Sequence, residues 1–408
     1  MNTWIDIPNN SDFTIHNLPY GVFMRDHKPT PGIAIGDSIV DLNAAAKCGL
    51  FKSLDFNSSV FESDVLNDFI ECGKNAWSSL RSFMVSELTT EGDLFENKDK
   101  IIVFRKNAQM CLPIQIGDYT DFYSSIEHAT NLGKLFRPNS EPLLPNWRHI
   151  PVGYHGRASS IVISGTPIKR PQGQIKPTTE EKPIFGHSKR LDIELEMAFI
   201  IGSSTKLGEC ITVEDAEDHI FGKVIFNDWS ARDIQGWEYV PLGPFLGKNF
   251  ASTISPWIVT MEALEPFRCE SIKQDPPVLP YLKYDGNKNF DIQLEVGITP
   301  KEEEETIISQ GNFKFMYWNM AQQLAHHTVN GCNVNIGDVM ASGTISGRDK
   351  SSYGSLIEIS KGGKEPIQLK NNKERTFLED GDSITIRAWC QKDDIRIGFG
   401  ECIGTIVQ

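Results

Sequence analysis

No Cys-x-x-Cys pair occurs in this sequence: the eight cysteines, Cys48, Cys72, Cys111, Cys210, Cys269, Cys332, Cys390 and Cys402, are scattered through 408 residues. That spacing excludes the common zinc and dithiol motifs, and a chain of this length does not depend on disulfide staples, so reduced thiols are expected. Positive charge is also scarce, with 40 Lys and Arg against 54 Asp and Glu and a formal net charge of -14. Such a surface repels phosphate backbones and anionic lipid, so neither nucleic acid nor membrane is an expected partner. No stretch approaches the ~20 apolar residues of a membrane span. The opening Met1-Asn2-Thr3-Trp4-Ile5-Asp6 lacks the basic start and apolar centre of a secretory signal, which makes the cytoplasm the expected compartment. Two catalytic signatures are missing as well. Gly243-Pro244-Phe245-Leu246-Gly247-Lys248 has three residues between its glycines where a phosphate loop has four, and Asn249 where Ser or Thr is needed. There is no Gly-x-Ser-x-Gly elbow, which removes the main sequence argument for a serine hydrolase.

What is present is an ordinary globular composition, 39% hydrophobic and 23% charged, in a chain long enough for two domains. Residues 31–42 alternate around Gly36-Asp37 and predict a hairpin. Trp77, Leu80, Met84 and Leu88 fall at three- and four-residue steps and predict a packing helix from about Lys74 to Thr89. Ile101-Ile102-Val103-Phe104 reads as a strand, and Leu112-Pro113-Ile114 as a linker, placing a boundary near residues 114–116. Beyond it, short apolar runs broken by Gly, Pro and Asp, such as Ile161-Val162-Ile163 and Val224-Ile225-Phe226-Asn227-Asp228, predict a mainly β domain. A second helical segment is predicted from about Phe313 to Val329.

The densest chemical signal is Leu191-Asp192-Ile193-Glu194-Leu195-Glu196-Met197. In a strand, Glu194 and Glu196 share one face while Ile193, Leu195 and Met197 fill the other. Buried together, the two carboxylates would need protonation or a cation. A strand with one wet face would carry the same glutamates, so the pair alone does not decide. Asp121, readable as a helix cap, Asp228 at a strand end, and Asp118 as a spare could complete an oxygen cage. Carboxylates without a nearby His or Cys pair favour calcium, magnesium or manganese over zinc. His128 lies two helical turns after Asp121 if that segment is helical, and Glu358 sits in a β-like pattern. Nothing in the residues alone pairs His128 with Glu358. Donors also gather in Arg232-Asp233-Ile234-Gln235-Gly236-Trp237-Glu238-Tyr239.

Several strings, taken together, closely resemble the fumarylacetoacetate hydrolase family. They are Gly117-Asp118-Tyr119-Thr120-Asp121-Phe122-Tyr123, Leu144-Pro145-Asn146-Trp147, Pro151 to Ser160 around Tyr154-His155-Gly156-Arg157, Asn227 to Lys248, and Ala341-Ser342-Gly343-Thr344-Ile345-Ser346-Gly347. The resemblance spans the chain in order. It implies a mainly β fold with some α: a small N-terminal SH3-like barrel over residues 1–115, a larger C-terminal β-roll over 116–408, and a homodimer. It implies Asp121, Glu194, Glu196 and Asp228 as calcium ligands, with Lys248 and Ser252, where the family has threonine, at a second site for magnesium reached with Asp228. His128 would be the base and Glu358 its orienting carboxylate. Arg232, Gln235 and Lys248 would face developing negative charge, while Tyr123, Arg137, Tyr154, Gln235, Tyr239 and Thr344 would bind a small diketo acid. The implied reaction is hydrolysis of a carbon-carbon bond in a 1,3-diketo acid, giving fumarate and acetoacetate in tyrosine breakdown. Acylpyruvate hydrolase or 2-oxo acid decarboxylase activity is the alternative within the same superfamily. A non-catalytic β scaffold stabilised by metal would keep the carboxylates but need neither His128 nor Glu358.

Overall fold

The computed structural model describes residues 2–408. The N-terminal part is a small antiparallel sheet in which the strands run in the order Ile102–Phe104, Ser38–Asp41, Lys28–Ile35, Tyr20–Arg25, Met110–Cys111. The predicted hairpin forms its centre. It turns at Gly36, whose φ of +53° and close approach to the Asp6 carbonyl, 2.6 Å from where a Cβ would sit, both require glycine. The helix Lys74–Thr89 has the predicted bounds and buries Trp77, Leu80, Met84 and Leu88. Among the described residues no helix is long and apolar enough to cross a membrane.

The larger part is built on a sheet whose strands follow the order Gly153–His155, Tyr119–Phe122, Val339–Ala341, Leu195–Ile201, Ile220–Asp228, Ser252–Ile254, Ile161–Ile163. A second, five-stranded sheet runs Thr306–Asn312, Gln293–Thr299, Ser383–Lys392, Ile395–Val407, Ile168–Lys169 and closes the roll. Because strand side chains alternate, the two faces of the first sheet serve different cores. Leu195, Met197, Phe199 and Ile225 pack inside the roll. Ala198, Ile200, Val224 and Phe226 join Val22, Ile33, Phe69 and Trp77 in a cluster continuous with the N-terminal sheet. Trp77 meets Phe221 edge-to-face at 4.9 Å across that seam. Each large side chain buried there is worth ~1.5–3 kcal/mol.

Two predicted elements differ. The 313–329 segment is not one helix: a single 3-10 turn, Phe313–Phe315, is followed by the helix Met320–Thr328. Asn319 restarts the chain, its side chain accepting from Gln322 N while Gln322 reaches back to the Asn319 amide, a reciprocal cap that outweighs continuation of the apolar stripe. Glu358 lies in the short helix Leu356–Ile359, not in a strand.

Candidate active site

The face of the first sheet that is apolar beneath the N-terminal core becomes acidic at one end. Strand register explains the convergence. Asp121 pairs with Ala341, Ala341 with Ala198, and Glu196 with Phe226, while the amide of Asp228 donates to the carbonyl of Glu194 at 3.3 Å. Asp121, Glu196 and Asp228 therefore project from adjacent strands on one face. Glu194 lies just before its strand begins at Leu195, not within it, yet its side chain reaches the same point. All four carboxylates are buried, with one oxygen of each lying within 4.8 Å of the others.

This arrangement corrects the expectation that Asp121 caps a helix. Asp121 sits in the strand Tyr119–Phe122, and Ser125 caps the following helix, Ile126–Phe136, by accepting from the His128 amide. The turn between strand and helix, rather than helical spacing, brings His128 to the site.

The electrostatics of the cluster are lopsided. Lys248 Nζ donates to Glu194 Oε2 at 2.5 Å and to Asp228 Oδ2 at 2.7 Å, and Arg232 Nη1 lies 2.8 Å from Glu194 Oε1. Burial alone would raise the Glu194 carboxyl, but Lys248, Arg232 and His128 outweigh it and hold it well below the usual range. Lys248 pairs with neither Asp121 nor Glu196, and its charge does not outweigh their burial. Burial pushes both well up, reinforced at Asp121 by Asp228 and at Glu196 by Asp121. Asp121 Oδ1 and Glu196 Oε1 are buried without a hydrogen-bond partner. Two orphaned carboxylate oxygens in an all-oxygen cluster fit a hard divalent cation, which would relieve the repulsion that now favours protonation.

The side chains expected at a second ion do not form a comparable set. Asp228 supplies the only carboxylate: Ser252 Oγ donates to its Oδ1 at 2.9 Å, while Lys248 and Tyr154 Oη donate to its Oδ2, the latter at 3.1 Å. The Lys248 ammonium is thus engaged by carboxylates, and a contribution of Lys248 to a second ion would come from its backbone carbonyl, beside the Asp228 carboxylate and the Ser252 hydroxyl.

His128 is 1% exposed, and its Nδ1 lies 2.7 Å from Glu358 Oε2. The same oxygen accepts from Ser346 Oγ at 2.9 Å and Ser355 Oγ at 2.7 Å, and Asn131 Nδ2 donates to Oε1 at 2.9 Å. Burial would raise Glu358, but His128, Asn131 and Ser355 together keep its carboxyl low, so it remains an anion beside the imidazole. Tyr123 packs edge-to-face on His128 at 5.3 Å.

Arg232 opens the helix Arg232–Glu238; its Nε donates to Asp192 Oδ2 at 2.8 Å and its Nη1 to Gln235 Oε1 at 3.2 Å, while Nη2 is buried and unpartnered. Arg137 Nε and Thr344 Oγ1 are likewise buried polar atoms without partners. Tyr154 borders a cavity of about 150 Å³ together with Tyr119, Phe245 and Lys248. Tyr239 follows the Arg232–Glu238 helix and is 48% exposed. Asp192, Asn131, Ser346, Ser355 and Tyr119 are site-forming residues that sequence reasoning missed. Their roles come from contacts across the chain, and single polar residues in such strings carry no spacing signal.

Comparison with known proteins agrees with this architecture. The family model for the fumarylacetoacetate hydrolase C-terminal region matches residues 119–407, and that for the fumarylacetoacetase N-terminal region matches residues 16–113. The chain is 50% identical to fumarylacetoacetase of Homo sapiens over 412 residues, covering 99% of this chain and 98% of that one. It is 51% identical to fumarylacetoacetase of Dictyostelium discoideum over 422 residues, covering 100% and 98%. The fold is shared with a solved fumarylacetoacetate hydrolase from Exiguobacterium antarcticum, at a TM-score of 0.54 and 19% identity over 95% of this chain and 99% of that one. By both halves of its length, the chain belongs to the fumarylacetoacetate hydrolase family.

Proposed function

We propose that this chain is a fumarylacetoacetase, cleaving the carbon-carbon bond of 4-fumarylacetoacetate with water to give fumarate and acetoacetate. The observation that carries the reading is the buried His128–Glu358 pair standing beside a cluster of four carboxylates and two cations. The reaction needs a base on one side of a ketone and a sink for negative charge on the other. Glu358 fixes the Nδ1 proton of His128, so Nε2 is the nitrogen that takes a proton from water attacking the ketone next to the fumaroyl unit.

Arg232 Nη2 and the third N–H of Lys248 are donors not used within the protein, and with the Gln235 amide they would hold the oxyanion formed by that attack. Such a donor is typically worth roughly 3–4 kcal/mol. His128 then returns the proton to the departing carbon. Asp121, Glu194, Glu196 and Asp228 would hold calcium, whose Lewis acidity would stabilise the enolate leaving group. Arg137, Tyr123, Tyr154 and Thr344 would bind the acid's carboxylates and oxygens, with Arg137 the natural partner of a carboxylate. Tyr239, at the end of the helix that Arg232 opens, would join them.

We further propose a cytoplasmic homodimer. Trp237, Val240, Leu242, Phe245 and Leu246 form an exposed apolar stretch beside the site, which suits a surface covered by a second copy. Loss of the diketone absorbance on adding purified protein tests the activity, with acylpyruvates and oxaloacetate as competing substrates. Turnover of either in preference to fumarylacetoacetate would overturn the assignment, and sedimentation as a monomer would overturn the dimer.

A further inference from the structure

We propose that Asp192 is a positioning residue that fixes both halves of the catalytic apparatus at once: the Arg232 guanidinium and the helical turn bearing Glu358. The proposal rests on the hydrolase reading above and adds to it a residue whose carboxylate is enclosed by donors of the protein itself. Asp192 lies in the short ladder Leu191–Asp192, paired with Ser230–Ala231 directly before Arg232. Its side chain is wholly buried and surrounded by donors. Oδ2 accepts from Arg232 Nε at 2.8 Å and from Ile357 N at 3.1 Å; Oδ1 accepts from Leu356 N at 2.7 Å and from Ile193 N at 2.8 Å. A buried carboxylate persists only where paired and hydrogen-bonded in this way.

The two sets of contacts do different jobs. The first amides of any helix lack partners within it, and Ser355, at the N-cap of Leu356–Ile359, gives them no side-chain bond. Its hydroxyl is turned instead to Glu358 Oε2. Asp192, 164 residues away in sequence, supplies the missing acceptor and so leaves Ser355 free to hold Glu358. On the other side, the bond to Nε sets the plane of the guanidinium. That plane places Nη1 on Glu194 and Gln235 and leaves Nη2 unpartnered. A carboxylate can do both because it has two accepting oxygens. Asparagine has the same shape but one acceptor and one donor group, so its NH2 would face two of the four donors, either Arg232 Nε with Ile357 N or the Leu356 and Ile193 amides.

The test compares wild type, Asp192→Asn, Arg232→Met and the combined variant by kcat and KM for fumarylacetoacetate, and by hydrogen-deuterium exchange of the 354–360 segment. Asp192→Asn is expected to lower kcat roughly 100-fold, the loss of one oxyanion donor, while KM changes by less than about threefold. The combined variant should lose far less than the product of the two single losses, because part of each loss is the same Arg232 contact. Exchange through 354–360 should be faster whenever Asp192 is replaced. Wild-type kcat in Asp192→Asn, fully multiplicative losses, or unchanged exchange would each overturn the proposal. If Asp192→Asn folds poorly, with Arg232 left only its Glu194 partner, the combined variant, which carries neither of the two charges, supplies the exchange comparison against Arg232→Met. A wild-type protein silent toward fumarylacetoacetate would defeat the hydrolase reading instead, and the exchange result would then decide the positioning role by itself.

Discussion

At the scale of single residues, protonation states are set by a few contacts, and they can be changed one at a time. Glu358 receives three bonds on the oxygen that faces His128 and its neighbour, so the imidazole is held in one tautomer. His128→Ala removes the base and should lower kcat by about 10²–10⁴-fold. Glu358→Gln should cost kcat by a similar order, because a glutamine amide that donates to Nδ1 places the ring proton on Nε2, where the lone pair is needed; steady-state turnover measures both. Lys223 offers a different test, far from the chemistry. It is buried in the roll, with Nζ 3.9 Å from the Phe313 ring centroid and 5.2 Å from that of Phe290. Burial pushes its pKa from 10.5 down to about 7, with Glu217 opposing the shift. A lysine whose folded pKa is depressed penalises folding fully below about pH 7. The penalty fades as pH rises from 7 toward 10.5, since there the unfolded chain binds more protons. Lys223→Met should therefore raise the unfolding midpoint at pH 6, by an amount equivalent to a few kcal/mol at most, and the gain should shrink by pH 9 to 10.

Elements decide whether those residues meet. The Lys74–Thr89 helix and the Gly36 hairpin were legible because their information is local: an apolar stripe at helical spacing, and a glycine in a position that only glycine fits. The turn bearing Glu358 was not, because its amides are satisfied by Asp192 from a distant strand and its own tetrapeptide alternates like a strand. Glu194 and Glu196 were legible as a pair facing one way, although the strand starts only at Leu195; their partners Asp121 and Asp228 required the sheet register, which no local spacing encodes. The pairing of His128 with Glu358 rested on family resemblance, since the residues are 230 apart. Gly343 shows how closely an element can be tied to the site. Its amide donates to Glu196 Oε2 at 2.9 Å, its φ is +77°, and a Cβ would lie 2.2 Å from the Phe122 carbonyl. Gly343→Ala should displace the strand end that carries Glu196, weakening calcium binding by at least tenfold in a titration, in addition to lowering the unfolding midpoint.

For the molecule as a whole, the carboxylate cluster is a source of strain that a cation would relieve. Chelator-treated protein should unfold at a lower temperature than protein with added calcium, the difference being ~2.7 kcal/mol when free calcium reaches 100 times its dissociation constant. Scanning calorimetry with and without chelator measures this. An unchanged midpoint would argue against the cluster as an ion site. The shared core has another consequence. Phe69 and Trp77 of the N-terminal part pack with Phe221 and Phe226, the latter two residues before Asp228 on the same strand. A cut near residue 115 would strip that strand's apolar face bare, leaving a C-terminal fragment with every proposed catalytic residue but a sticky, unsupported sheet. The N-terminal segment is thus a buttress for the acidic end of the sheet, which can be no firmer than the packing seated behind it.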